Sequence, residues 1–281
     1  MKIIPIINNK GGVGKTTTTV NVSAGLAHRD NRVLLVDLDS QGSASLALGV
    51  DHDNLRPSVA DVLFGNGTIH EVKRNTLIDG LDLLTGSLDL ANADVRLKDL
   101  QGREWVLKNA LDDVKDEYDY IFIDCAPSTS VLSVNALVAA DAFIIPVSPA
   151  YLALEGVVSL GEVVKNVRQG VGEAAPVLGL VITQVGRGES RASASETEII
   201  NELTTHYGGK VFDTKLQYDA ALEDAPAASE DIFTYAPDSQ GAKDYAMLLD
   251  EIEERVERYG SIYSKVNEKR SQLAEKHAPS S

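Results

Sequence analysis

Apolar positions along the chain fall into two patterns. Continuous apolar runs lie at KIIPII (2–7), RVLLVDLD (32–39), LDLLTG (81–86), YDYIFIDCAPS (118–128), DAFIIPVSP (141–149), PVLGLVITQV (176–185) and KVFDTKL (210–216). Runs without polar alternation bury both faces of a strand, which predicts a parallel sheet covered by helices. Between them, TTTTVNVSAGLAHR (16–29) predicts a helix, and a long helical stretch is expected from Ser87 to Val114 with a break at Gly102. Residues 46–80 read as a loop-rich excursion with short helices. The fold class is therefore α/β, a mostly parallel twisted sheet flanked by helices on both faces. Ligands of such sheets sit at the carboxyl ends of the strands, so the segments 8–16, 37–45, 124–130 and 147–151 are expected to converge on one crevice.

The composition narrows this picture. A formal net charge of −16 argues against a generally basic nucleic-acid-binding surface. Any DNA contact would need a local basic patch. Cys125 is the single cysteine, so no internal disulfide forms, and a reducing, cytoplasmic setting is expected. The opening MKIIPIINN is too short for a signal peptide or membrane span, and no membrane association is expected. His28, His52, His70, His206 and His277 show no ligand spacing and read as surface or cap residues.

NNKGGVGKTT (8–17) follows the first strand and opens the first helix. It fits the phosphate-loop pattern G-x-x-x-x-G-K-[ST] except that its first glycine is Asn9, followed by a second lysine, Lys10. Gly11, Gly12 and Gly14 let successive N–H groups turn toward phosphate oxygens, and the helix beginning near Lys15 adds its positive end. The candidate nucleotide-binding run is Gly11, Gly12, Val13, Gly14, Lys15, Thr16 and Thr17, with Lys10 added by the family resemblance below. Lys15 is expected to reach the β and γ phosphates, and the Thr16 hydroxyl to ligate Mg2+. Asp124, ending YIFID, is the candidate acid for the magnesium shell. In VDLDSQG (36–42), Asp37 and Asp39 either position Mg2+, orient the attacking water, or simply end the strand in a turn.

KGGVGKTT, VDLDSQG and YDYIFIDCAPS together resemble the ParA branch of the deviant Walker A P-loop ATPases. GREWVLKNALDDVKDEYDYIFID, PVSPAYLALEGV, KVFDT and TYAPDSQGAKDYAMLLDEI extend the likeness over roughly residues 1 to 255. The resemblance implies an ATP- and Mg2+-dependent homodimerising ATPase that partitions plasmid or chromosomal DNA, slow until a ParB-like partner stimulates it. It implies that Lys10 crosses the dimer interface to the phosphates of the other subunit, and that Lys10, Lys15 and Asp39 are the catalytic set. Asp39 then orients the hydrolytic water, while Thr16, Asp37, Asp39 and Asp124 surround the metal. Gln217 and Asp219 stand where the family places base-side residues. One ATPase domain over 1–258 is expected, with a helical or disordered extension over 259–281.

The likeness also has departures. KLQYDAALEDA (215–225) lacks the basic stretch with which partition ATPases grip nucleoid DNA. The remaining cationic candidates are Lys165, Arg168, Arg187 and Arg191. Positioning of a non-DNA cargo by the same switch is the alternative. A MinD-like membrane role is disfavoured because EKRSQLAEKHAPSS offers only Leu273 for insertion. One cysteine excludes a shared iron–sulfur cluster, and a metabolic ligase would not explain the C-terminal likeness. The stripe Tyr245, Leu249, Ile252, Val256, Tyr259, Tyr263 and Val266 is heptad-like.

Overall fold

The computed structural model describes residues 2–150, 153–172, 174–187 and 194–276. Its strands are β1 (Lys2–Ile6), β2 (Val33–Leu38), β3 (Arg74–Asn75), β4 (Leu81–Leu84), β5 (Tyr120–Cys125), β6 (Phe143–Val147), β7 (Val177–Val185) and β8 (Val211–Gln217). They form one 8-stranded sheet in the order β3-β4-β2-β5-β1-β6-β7-β8. All pairings are parallel except β3 with β4, so the expected parallel sheet carries one antiparallel edge. The two residues of β3 carry no apolar pattern, which is why the sequence hid them inside the 46–80 excursion.

The α-helices are α1 (Lys15–Ala27), α2 (Ser43–Ala47), α3 (Val59–Leu63), α4 (Ile69–Val72), α5 (Ala93–Arg96), α6 (Val106–Asp112), α7 (Val131–Ala139), α8 (Ala153–Val171), α9 (Ala194–Tyr207), α10 (Ala221–Asp224), α11 (Ile232–Tyr235) and α12 (Gln240–Lys276). Alternate strand residues divide the core in two, as the pleat requires. Ile3, Leu34, Val36, Ile121 and Ile123 join the side chains of α6, α7 and α8. Ile4, Ile6, Leu35 and Phe122 join those of α1 and α12. Phe122 is wholly buried at the centre, where truncation to Ala costs about 3–5 kcal/mol.

The helical stretch expected over 87–114 is more fragmented than one break allows. A 3-10 turn (Leu88–Asn92), α5, a second 3-10 turn (Arg103–Trp105) and α6 replace it, with Gly102 left-handed at φ 74°. Helical spacing of apolar residues survives such breaks, so periodicity alone could not see them. At the other end, α12 continues through Gly260 to Lys276, giving the extension a helical backbone. Along α12, Tyr245, Leu249, Ile252 and Val256 are buried in the domain core, so this part of the stripe is packing against the chain's own domain. Among the described residues no helix is long and apolar enough to cross a membrane.

Candidate active site

β1 ends one residue before the loop, and Ile7 N still donates to Ile144 O of β6 at 3.0 Å. The chain then turns through Gly12 (φ 70°) and Gly14 (φ 78°), left-handed positions that favour glycine. Asn9 is not among the positive-φ residues, so its position does not need glycine, and a side chain fits without strain. Gly14 leads directly into α1, which has no side-chain cap and no acid in its first turn. Its leading N–H groups therefore remain available to phosphate oxygens.

Lys15, 7% exposed, donates from Nζ to Lys10 O at 2.9 Å. Burial lowers its pKa, opposed first by the Asp124 carboxyl beside it and also by Asp39. Thr16 Oγ1 donates to Asp124 Oδ2 at 2.8 Å, and Thr19 Oγ1 donates to Asp124 Oδ1 at 3.2 Å. Asp124 is raised above the ordinary carboxylate range, first by burial and then by Asp37, its register partner across β2 and β5. The two threonine hydroxyls and Lys15 pull it back.

The two carboxylates of VDLDSQG separate in role. Asp39 lines the cavity, its Oδ1 accepting Gln41 N at 3.0 Å. Asp37 does not line it; it is fully buried and bonded within the fold. Its Oδ2 accepts Ser45 N at 2.9 Å and Ser45 Oγ at 2.7 Å, and its Oδ1 accepts Asp39 N at 3.0 Å. Gly86 N in turn donates to Ser45 Oγ at 3.0 Å, and a Cβ on Gly86 would lie 2.8 Å from the Asp37 carboxyl carbon. Asp37 thus holds the loop that presents Asp39, and like its register partner Asp124 it lies buried behind the cavity lining.

The cavity has a volume of about 390 Å³. Gly11, Gly12, Gly14, Lys15, Thr16 and Thr17 of the glycine loop and α1 line it, together with Gln217, Tyr218, Asp219 and Glu223 from the end of β8 onward. Loops after β1, β2, β5, β7 and β8 contribute, whereas no described residue of the expected 147–151 segment does. α8, which follows that segment, packs instead on the outside of the glycine loop, with Asn9 Nδ2 donating to Ser159 Oγ at 3.2 Å. Sequence reasoning missed several supports. Thr183 Oγ1 donates to Val13 O at 2.9 Å, and Tyr245 lines the cavity with its hydroxyl 3.3 Å from Thr18 Oγ1. Spacing offered no signal for these, since they come from remote strands and helices.

The wall of Gln217, Tyr218 and Asp219 is tied to the start of α12 as well as to its own turn. Asp219 accepts Ala221 N at 3.0 Å and Gly241 N at 2.8 Å. Gln217 N donates to Asp244 Oδ2 at 2.8 Å. Arg187, a DNA candidate, lines this same cavity and pairs with Glu223 at 3.0 Å. Arg168 lines a separate cavity of about 570 Å³ with Lys2, Trp105 and Tyr259, and Lys165 is exposed on α8. Arg191 lies outside the described residues. Lys165 and Arg168 thus lie one turn apart on α8, whereas Arg187 lines the nucleotide cavity.

Among the described residues no group of three or more His, Cys, Asp or Glu side chains is placed to hold a metal. His52, His70 and His206 are exposed, and His28 pairs with Asp231 at 3.1 Å; His277 lies outside the described residues. Cys125 is buried, and burial pushes its thiol pKa up, as for a small apolar side chain. The Thr16 and Asp124 pair nevertheless suits Mg2+, which takes one or two protein oxygens and fills its octahedron with phosphate and water.

A strand, a loop with left-handed glycines, an uncapped helix start and an acid on the adjacent strand define a P-loop nucleotide-binding protein. The family model described as an AAA domain matches residues 1–174. The sporulation initiation inhibitor protein Soj of Bacillus subtilis is 38% identical over 251 residues, covering 89% of this chain and 98% of its own. The chromosome-partitioning ATPase Soj of Treponema pallidum is 39% identical, covering 89% and 96%. A cobyrinic acid a,c-diamide synthase of Mycobacterium smegmatis, solved with an ATP analogue and magnesium, superposes with TM-score 0.76 at 32% identity, covering 89% and 93%. The chain belongs to the Soj/ParA family of P-loop partitioning ATPases.

Proposed function

We propose that this chain is an ATP-driven dimerisation switch that partitions DNA, closing on ATP and opening after hydrolysis stimulated by a ParB-like partner. One observation carries the reading: the glycine loop bears two lysines, and Lys15 lines its own cavity while Lys10 does not. A cation on a phosphate loop that does not serve its own pocket is suited to a second pocket brought against it. Arriving only on dimerisation, it acts as an arginine finger does, worth on the order of 10³–10⁵ in rate.

In this scheme the loop N–H groups and Lys15 hold the triphosphate. Thr16 and Asp124 hold Mg2+, which neutralises charge developing on the phosphates when bound. Asp39, at the cavity wall, orients the attacking water, and Asp37 with Ser45 keeps Asp39 in place. Gln217 and Asp219 border the base, the latter through a wall already fixed by its own backbone bonds.

A second reading, positioning of a non-DNA cargo, is favoured by the Arg187–Glu223 pair. Light scattering and DNA binding measured together with and without ATP separate the two. The partition reading expects an ATP-dependent dimer that binds DNA, with affinity falling steeply as salt rises. A dimer that ignores DNA at low salt selects the second reading, and no ATP-dependent dimer at all rejects both.

A further inference from the structure

The lysine at position 10 is useful only if its backbone is aimed, and both polar groups of its backbone are held. Lys10 O accepts the Lys15 ammonium at 2.9 Å, and Lys10 N donates to Asn8 Oδ1 at 3.1 Å. Asn8 is 2% exposed, and its Nδ2 donates to Pro146 O of β6 at 2.8 Å. The main-chain ladder between β1 and β6 ends with Ile7 N on Ile144 O. The Asn8 carboxamide takes over from it, bridging the end of the sheet to the first turn of the loop. Asn9 contrasts with it: its Nδ2 meets Ser159, while its Oδ1 is buried without a partner.

α8 closes over this bridge at a glycine. A Cβ on Gly156 would sit 3.3 Å from Asn8 Oδ1 and 3.8 Å from Lys10 Cβ, so helix and loop touch here with little room to spare. We propose that Asn8 is a positioning residue for Lys10, with the Gly156 face of α8 as its backstop, and that together they aim Lys10 toward the partner's nucleotide. This rests on the reading of Lys10 as a cross-dimer cation. A carboxamide suits the place because it donates and accepts at once without adding charge beside the phosphates.

Three variants in the full-length protein test this, each with a melting curve, ADP affinity by calorimetry and ATP-dependent dimerisation by light scattering. Asn8→Ala is expected to keep ADP affinity within about threefold while raising the concentration for half-dimerisation about tenfold or more. Gly156→Ala should remain folded, since alanine favours the helix interior, yet shift dimerisation in the same direction. A loss of ADP affinity as large as the loss of dimerisation would mean that Asn8 only supports the loop, and overturns the proposal. So does parental dimerisation of Asn8→Ala. If Asn8→Ala does not fold, parental dimerisation of Gly156→Ala overturns it instead. Lys10→Ala separates the two levels. Its failure to dimerise beside a parental Asn8→Ala removes only this inference, whereas parental dimerisation of Lys10→Ala removes the cross-dimer reading and this inference with it.

Discussion

The two walls of the nucleotide cavity are built by different rules. On the phosphate wall, buried groups are bonded across elements far apart in the chain: Thr16 and Thr19 to Asp124, Thr183 to Val13, Asn8 to Pro146. The wall of Gln217, Tyr218, Asp219 and Glu223 also has cross-element bonds, Asp219 to Gly241 and Gln217 to Asp244, but its side chains are exposed: Tyr218, 38% exposed, donates to Glu223 at 3.1 Å, with Arg187 on the other oxygen. The phosphate wall recognises a charge and a geometry that every nucleoside triphosphate shares, so it is fixed by backbone and burial. If the second wall borders the base, as proposed, it must choose among flat rings, and surface side chains can do this with bonds worth little individually. Function on the first wall is therefore fragile to substitution, and on the second it is tunable.

Breaking the phosphate wall should have the largest consequence. Lys15→Ala removes the buried ammonium, and calorimetry should show nucleotide affinity reduced on the order of 100-fold. Asp39→Ala comes next. Light scattering should show an ATP-dependent dimer like the parent's, while phosphate release falls on the order of 10²-fold or more. A parental turnover rate would remove Asp39 from the chemistry.

Asp124→Asn sharpens the electrostatic side of the comparison. The native carboxyl binds its proton more tightly than an unfolded aspartate, whose pKa is near 3.9, because of burial and then Asp37. Its share of Mg2+-free stability is therefore greatest at low pH, and falls as pH rises above about 4 toward the raised native value. Melting curves in chelator from pH 5 to 8 should show a flatter profile for Asp124→Asn than for the parent. The smallest effect belongs to the base wall: Glu223→Gln should change the ratio of ATP to GTP affinity by only about threefold, measured by competition. A change as large as that of Lys15→Ala would erase the distinction between the walls.

What the sequence disclosed follows the same division. Continuous apolar strands announced the sheet because burial on both faces leaves no polar alternation. The glycine loop was legible because its chemistry resides in backbone conformation, which Gly12 and Gly14 declare. Asn9 looked like a defect until its backbone proved to lie outside the left-handed region. Strand spacing alone did not separate the roles of Asp37 and Asp39, since alternate positions look alike, and only the family resemblance gave Asp39 the water-orienting role. Ser45 and Gly86, brought in by the sheet order, decide which carboxylate is buried. Likewise Tyr245 belonged to an apolar stripe, and only the packing of α12 against α1 shows that the same face reaches the nucleotide cavity.

The most direct test of Lys10 acting in trans is a mixing experiment with two inactive variants that both retain Lys15. In a mixed dimer of Lys10→Ala and Asp39→Ala, one site has its own Asp39 and receives Lys10 from its partner, while the other has neither. Combining equal amounts should restore ATP hydrolysis to at most about a quarter of the parental rate, the value reached when half the dimers are mixed and one of their two sites is whole. Formation of mixed dimers without any recovered hydrolysis would place Lys10 in its own site and contradict the account.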